Sequence, residues 1–220
     1  MQPIKINSHG NQLEVYKSTK RHYKSAMTMK ANHTIDIEKQ GYDWFGVETE
    51  PKKNGLSILA IPTFEGKTFP QYNGITGNEK WIKKLIEFYK TKWGGESFCI
   101  HGDLCLCNVI FNDTVKVVDW EHFHKASKEY FGFDIINMLF IQLQYEYRWW
   151  SYWGFNWVPF IKQKHKDFIK ECVKMLGDTG FLRQPFTRSS WYVNKYMDKK
   201  KFLLGRLRQE TLESLDIICL

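Results

Sequence analysis

Residues 100–121 read IHGDLCLCNVIFNDTVKVVDWE, and this stretch decides how the chain is built. Asp103 stands five residues before Asn108, and Asp119 follows eleven residues later. The apolar residues of VIFND and VKVVD flank Asn112-Asp113, a pair suited to a tight turn, so the spacing predicts two short strands joined as a hairpin. Such a hairpin returns Asp119 to the side of Asn108 and leaves Asp103 at the mouth of the loop. One carboxylate is then placed to orient a hydroxyl. A carboxamide and a second carboxylate offer the oxygen ligands that magnesium on a nucleotide prefers. Phosphoryl transfer is the chemistry that uses such a set.

Upstream, residues 3–7 and 13–19 alternate weakly around the His-Gly-Asn turn at 9–11 and predict a hairpin, with a third strand over 23–31. Thr34 or Asp36 is expected to cap a helix that carries Ile37, Gly41, Trp44 and Phe45 on one side. After a turn at 51–55, LSILAIP is a short apolar strand and TFEGKTFP leads away from it. From Asn78 the period changes: Ile82, Leu85, Ile86, Tyr89 and Trp93 recur at helical spacing, and Gly94-Gly95 ends the run. Downstream, helices are expected at 134–148, 158–176 and 203–217. The expected fold class is α+β, with a strand-rich part at 1–66 and a mainly helical part at 67–220.

With 220 residues the chain is long enough to bury a core, and 25% charged residues beside 43% hydrophobic ones exclude a disordered composition. The formal charge of +8 favours an anionic partner or a solvated helix face. Five cysteines, an odd number without framework spacing, predict free thiols. The polar opening MQPIKINSHG and the lack of a long apolar run lead to a cytoplasmic expectation.

The order of parts resembles the aminoglycoside phosphotransferase and choline kinase family: a strand hairpin, a strand with a lysine, a helix with a glutamate, an apolar strand into a linker, a helix, then HGDLCLCN and DWE. The resemblance implies a two-lobed, protein-kinase-like fold with a reduced N-terminal nucleotide lobe. It also implies ATP and magnesium as cofactors and a small-molecule or sugar hydroxyl as acceptor. Asp103 would be the catalytic aspartate that aligns this hydroxyl, while Asn108 and Asp119 would hold the metal. His101 would brace the loop, and Glu121 would add a metal-shell or substrate contact. A lysine held by a helix glutamate would meet the phosphates, with Lys30 paired to Glu38 and Lys17 as the rival. Backbone groups near Ile61 and Thr63 would pair with adenine, Thr63 as donor because Pro62 has no amide hydrogen. Asp134 would cap the next helix or brace the loop.

The segment YEYRWWSYWGFNWVPF holds four of nine tryptophans within nine residues, near Arg148. It suits stacking on the sugar ring of a glycan acceptor, enclosure of a quaternary ammonium, an anionic or membrane-associated acceptor, or simply a helix core. Two rivals to a transferase stay open. One is a non-catalytic, kinase-like nucleotide-binding module. The other is a metal-dependent phosphohydrolase with His101, Asp103, Asp119, His122 and His124 as ligands. No nucleic-acid motif is present, and no nucleic-acid partner is expected.

Overall fold

A computed structural model of the chain describes residues 4–8, 11–49, 55–69, 74–95, 97–147 and 161–177. The expected helix at 203–217 and the aromatic stretch from Arg148 to residue 160 lie outside these residues. Small antiparallel sheets and several helices make up a mixed α/β architecture. Strands β1 (Ile4–Ser8), β2 (Asn11–Lys17), β3 (Arg21–Ala26) and β4 (Ile58–Pro62) form one antiparallel sheet in that order. Helix α1 (Met29–Phe45) connects β3 to β4.

The third strand stops earlier than its sequence pattern suggests. Thr28 has extended backbone, and its side-chain oxygen accepts the Ala31 N–H at 3.3 Å. This N-cap satisfies one of the amides that an α-helix leaves unpaired at its start. The N-cap therefore lies six and eight residues before the expected caps Thr34 and Asp36. Gly46 closes it in the left-handed region, φ 85°, and donates its N–H to the carbonyls of Tyr42 and Asp43. Ala31, Ile35, Glu38, Tyr42 and Phe45 form the buried stripe, while Ile37 and Trp44 are half-buried at its flanks.

Two further strand pairs follow. β5 (Cys99–Ile100) pairs with β8 (His124–Lys125), and β6 (Val109–Phe111) pairs with β7 (Val115–Val117) in the hairpin that residues 100–121 predict. The chain divides into two compact units. The first contains Met1–Thr68, Cys99–Asp103 and Cys107–Lys125, and the second contains Phe69–Phe98, Leu104–Leu106 and Ala126–Leu220. A simple division at 66/67 differs from this, since the β6–β7 hairpin packs in the first unit. Its physical ties are the paired Lys67 and Phe111 backbone bonds, 2.9 Å each way, and the burial of Trp120 beneath α1.

In the second unit, α2 (Glu79–Trp93) buries Ile82, Leu85, Ile86, Tyr89 and Trp93. Helix α3 (Phe133–Tyr147) is apolar around much of its circumference, and α4 (Gln163–Leu176) buries Phe168, Ile169, Cys172 and Leu176. Each such side chain contributes roughly 1.5–3 kcal/mol of burial when fully enclosed. Asp134 lies within the first turn of α3, fully buried, and not at the cap. No described helix is long and apolar enough to cross a membrane. Cys99, Cys105, Cys107 and Cys172 are free thiols.

Candidate functional site

All the elements of the site belong to the first unit. Alternation along β3 puts His22 and Lys24 on one face of the sheet, and Lys24 lies in register between Val15 of β2 and Leu59 of β4. Helix α1 presents Glu38, 1% exposed, to that face. The Lys24 ammonium donates to both carboxylate oxygens of Glu38, Oε1 at 2.9 Å and Oε2 at 3.0 Å, and to Asp119 Oδ1 at 2.7 Å. One cation thus bridges two carboxylates that come from a helix and from the end of a hairpin.

The charges follow from this sharing. Burial alone would lower the pKa of Lys24, but Glu38 and Asp119 together reverse that and hold the ammonium above its ordinary value. Burial also pushes the Glu38 carboxyl up to about 7, because half-shared attraction from Lys24 does not offset it and Asp119 and Glu121 add repulsion. Asp119 goes the other way. Burial raises its pKa, yet the Lys24 charge and hydrogen bond outweigh that, and the carboxyl ends below its ordinary value. At neutral pH Lys24 and Asp119 are ionised, and Glu38 is close to its midpoint.

Asp119 is the one described non-glycine residue with positive φ, 63°. Aspartate tolerates this region better than most side chains, and the strain still needs an external hold. Tyr42 supplies it: the buried phenol oxygen accepts the Asp119 N–H at 3.1 Å. The next residue, Trp120, is fully buried, donates its ring N–H to the Val117 carbonyl at 3.0 Å and packs against Phe45, Trp44 and His101. Gly41 of α1 lies against it so closely that a Cβ there would stand 2.5 Å from the Trp120 Cβ. The glycine in mid-helix exists for this approach.

The loop before β6 is organised by His101, which is fully buried. Its Nε2 meets the Val118 carbonyl at 3.0 Å, so it must carry the proton, and its Nδ1 accepts the Asp103 N–H at 3.3 Å. Asn108 donates Nδ2 to the Asp103 carbonyl at 3.0 Å, and its oxygen receives the weak donor Cys107 Sγ at 3.6 Å. The Asn108 carbonyl in turn accepts the Val118 N–H at 2.9 Å, joining the two ends of the hairpin. With the amide nitrogen engaged, the side-chain oxygen is the part of Asn108 suited to a hard cation.

A cavity of about 400 Å³ opens beside this group. Lys24, Glu38, Asn108, Asp119 and Glu121 give it a charged and polar wall, and Val15, Leu59, Ile61 and Phe64 are among its apolar ones. Such a combination suits a ligand with an apolar, flat part and an anionic part.

The structure brings some of the expected residues together and leaves others apart. Glu38, Asn108, Asp119 and Ile61 all reach the same cavity wall. Asp103 is tied to Asn108 and His101 through its backbone but is not among the lining residues. The expected pair is Lys30 and Glu38. Both residues lie on α1, eight positions apart, which is about 12 Å along a helix axis. Lys24 takes that place, and Lys17 is exposed at the end of β2. Residues 23–31 also suit a continuing strand, and Thr28 as a helix cap is the sequence signal that ends it earlier. Thr63 is corrected too: its N–H donates to the Lys20 carbonyl at 2.8 Å and is not offered to a base. The phosphohydrolase set fails at His101, whose two ring nitrogens are already bonded, and His124 is exposed on β8. Among the described residues no three His, Cys, Asp or Glu side chains group as a metal cage. Gly41, Tyr42 and Trp120 are the supporting residues that the motif alone did not reveal.

No family model matches the chain, and no curated protein matches it. Among solved structures it is similar to the choline kinase LicA from Streptococcus pneumoniae, at 12% identity over 98% of this chain and 93% of that one, with a TM-score of 0.40.

Proposed function

We propose that the chain is an ATP-dependent phosphotransferase that moves the γ-phosphate to a hydroxyl of a small molecule or glycan, within a two-lobed, protein-kinase-like fold. The observation that carries this reading is the Lys24 ammonium held between Glu38 and Asp119 on a cavity wall shared with Asn108. Lys24 is positioned by Glu38 to meet nucleotide phosphates. The Asn108 oxygen and the Asp119 carboxylate are the residues that would hold magnesium, whose role when bound is to neutralise phosphate charge. Ile61 contributes apolar wall to the base. Asp103 accepts a hydrogen bond from the acceptor hydroxyl and aligns it, with the loop braced by neutral His101. The excess of lysine and arginine favours an anionic acceptor, with a sugar or glycan hydroxyl preferred to choline.

The test is transfer from γ-labelled ATP with magnesium to a panel of sugars, aminoglycosides, choline and extracted glycolipid. Asp103→Ala and Asp119→Ala are each expected to lower transfer about a hundredfold or more. Near-normal turnover by Asp103→Ala with a verified acceptor sinks the mechanism. A second reading, a nucleotide-binding module without catalysis, is favoured by the position of Asp103 outside the cavity lining. Tight magnesium-dependent ATP binding with no transfer to any acceptor would decide for it.

A further inference from the structure

His22 stands on the cavity wall two residues from Lys24 on the same face of β3, roughly 6–7 Å along the strand. Across the sheet it is opposite Ile61 of β4 on one side and Lys17 of β2 on the other. Pro62 and Phe64, which follow Ile61, also line the cavity, so the imidazole is set in an apolar stretch. It is half-buried, and neither ring nitrogen has a hydrogen-bond partner among the described residues. Burial, and then the charge of Lys17, lower its pKa, so the ring is neutral at neutral pH and offers one donor and one acceptor. Lys24 lies one step further along the same face. A ligand whose anionic part meets Lys24 therefore extends its flat, apolar part over Ile61 and against His22.

We infer that His22 reads the nucleobase: its imidazole edge hydrogen-bonds the base of a bound nucleoside triphosphate and sets which base is preferred. This assignment rests on the phosphotransferase reading above. An imidazole among aliphatic walls is the kind of convergent polar group that gives a pocket its selectivity, because a base that mismatches it leaves a desolvated donor or acceptor unpaired.

The experiment measures binding of ATP, GTP, CTP, UTP and tripolyphosphate by calorimetry, each with magnesium, to the full chain and to three variants. His22→Phe keeps a ring without the nitrogens, His22→Ala removes the ring, and Lys24→Ala removes the phosphate contact. The wild type is expected to prefer one base. Both His22 variants should lose about tenfold in affinity for that nucleotide, compressing the spread among the four, with tripolyphosphate binding unchanged. Lys24→Ala should weaken all five. Binding that depends on Lys24 while His22→Phe keeps the wild-type order and spread overturns the His22 assignment alone. So does a wild type that does not discriminate, or a loss of tripolyphosphate binding equal to that of nucleotides. If no triphosphate binds, or if Lys24→Ala is without effect, the phosphotransferase reading falls and takes this assignment with it.

Discussion

The Lys24 ammonium and the Asp119 carboxylate, 95 residues apart in the chain, meet at 2.7 Å. The same ammonium holds both oxygens of Glu38, so the candidate site is a three-residue charge group that no local stretch of sequence contains. Its consequences differ from those of an ordinary surface ion pair, because Glu38 is almost wholly removed from water.

Replacing Lys24 with methionine leaves Glu38 buried without a counter-charge. At pH 8 the variant should lose about 3–5 kcal/mol of stability in urea unfolding, and magnesium-dependent ATP binding should fall with it. Lys30→Ala, changed at the first turn of α1, should leave both within a few tenths of a kcal/mol and about twofold. Equal effects of the two substitutions would show that the pairing with Glu38 has been misassigned.

Glu38 makes stability depend on pH in a defined sense. Its carboxyl rises from 4.5 to about 7 on folding, so between those values the folded chain binds more protons than the unfolded one. Stability is then greatest below pH 4.5 as far as this group is concerned, and is lost as pH rises through about 7. The full swing is about 3 kcal/mol. His22 and His165 have lowered pKa values and act in the opposite sense, which makes the difference between wild type and Glu38→Gln the quantity to measure. Urea midpoints at pH 5, 6, 7 and 8 should show wild type losing ground to the variant as pH rises. A difference that is flat with pH contradicts a raised Glu38.

Gly41→Ala puts a methyl group against the Trp120 side chain at 2.5 Å. Overpacking of this kind costs about 1–3 kcal/mol, although alanine is otherwise the better helix former. Because Trp120 follows Asp119 directly, phosphoryl transfer should fall by more than the lost stability explains. Near-ultraviolet circular dichroism and the urea midpoint follow the packing, and single-turnover transfer follows the carboxylate.

Tyr42→Phe keeps the ring and removes only the oxygen that accepts the Asp119 N–H. An unpaired amide in a strained left-handed residue costs about 1–3 kcal/mol, and relaxation of Asp119 away from φ 63° is the expected response. ATP affinity in magnesium should drop, while affinity measured without the metal changes little. Unaltered metal dependence would remove Tyr42 from the support of the site.

The hairpin of residues 100–121 was legible because everything that makes it is local. Its strands are three residues each, the turn residues sit between them, and Asn108 and Asp119 are neighbours once the strands pair in register. The helix α2 was legible for a similar reason, since five buried residues repeat at its own period. The lysine was not. Residues 23–31 read equally well as a continuing strand, and only Thr28 accepting the Ala31 N–H decides that a helix starts there. Moving that boundary moves Lys30 onto the helix and leaves Lys24 as the strand lysine. Thr63 is not legible either, because its amide is claimed by the Lys20 carbonyl in a contact that spacing does not predict.

The sequence by itself determined the spacing of Asp103, Asn108 and Asp119, the hairpin between them and the alternation of helix and strand. These follow from backbone turn chemistry and side-chain period, which act over a few residues. Tertiary structure alone decided which lysine meets Glu38, why Gly41 must lack a side chain, how Tyr42 holds Asp119 and that His22 faces the cavity. Each of these depends on close packing or charge pairing between segments far apart in the chain. Such contacts are selected by burial and Coulomb attraction in the assembled unit, and those act on distance in space, not on position along the chain.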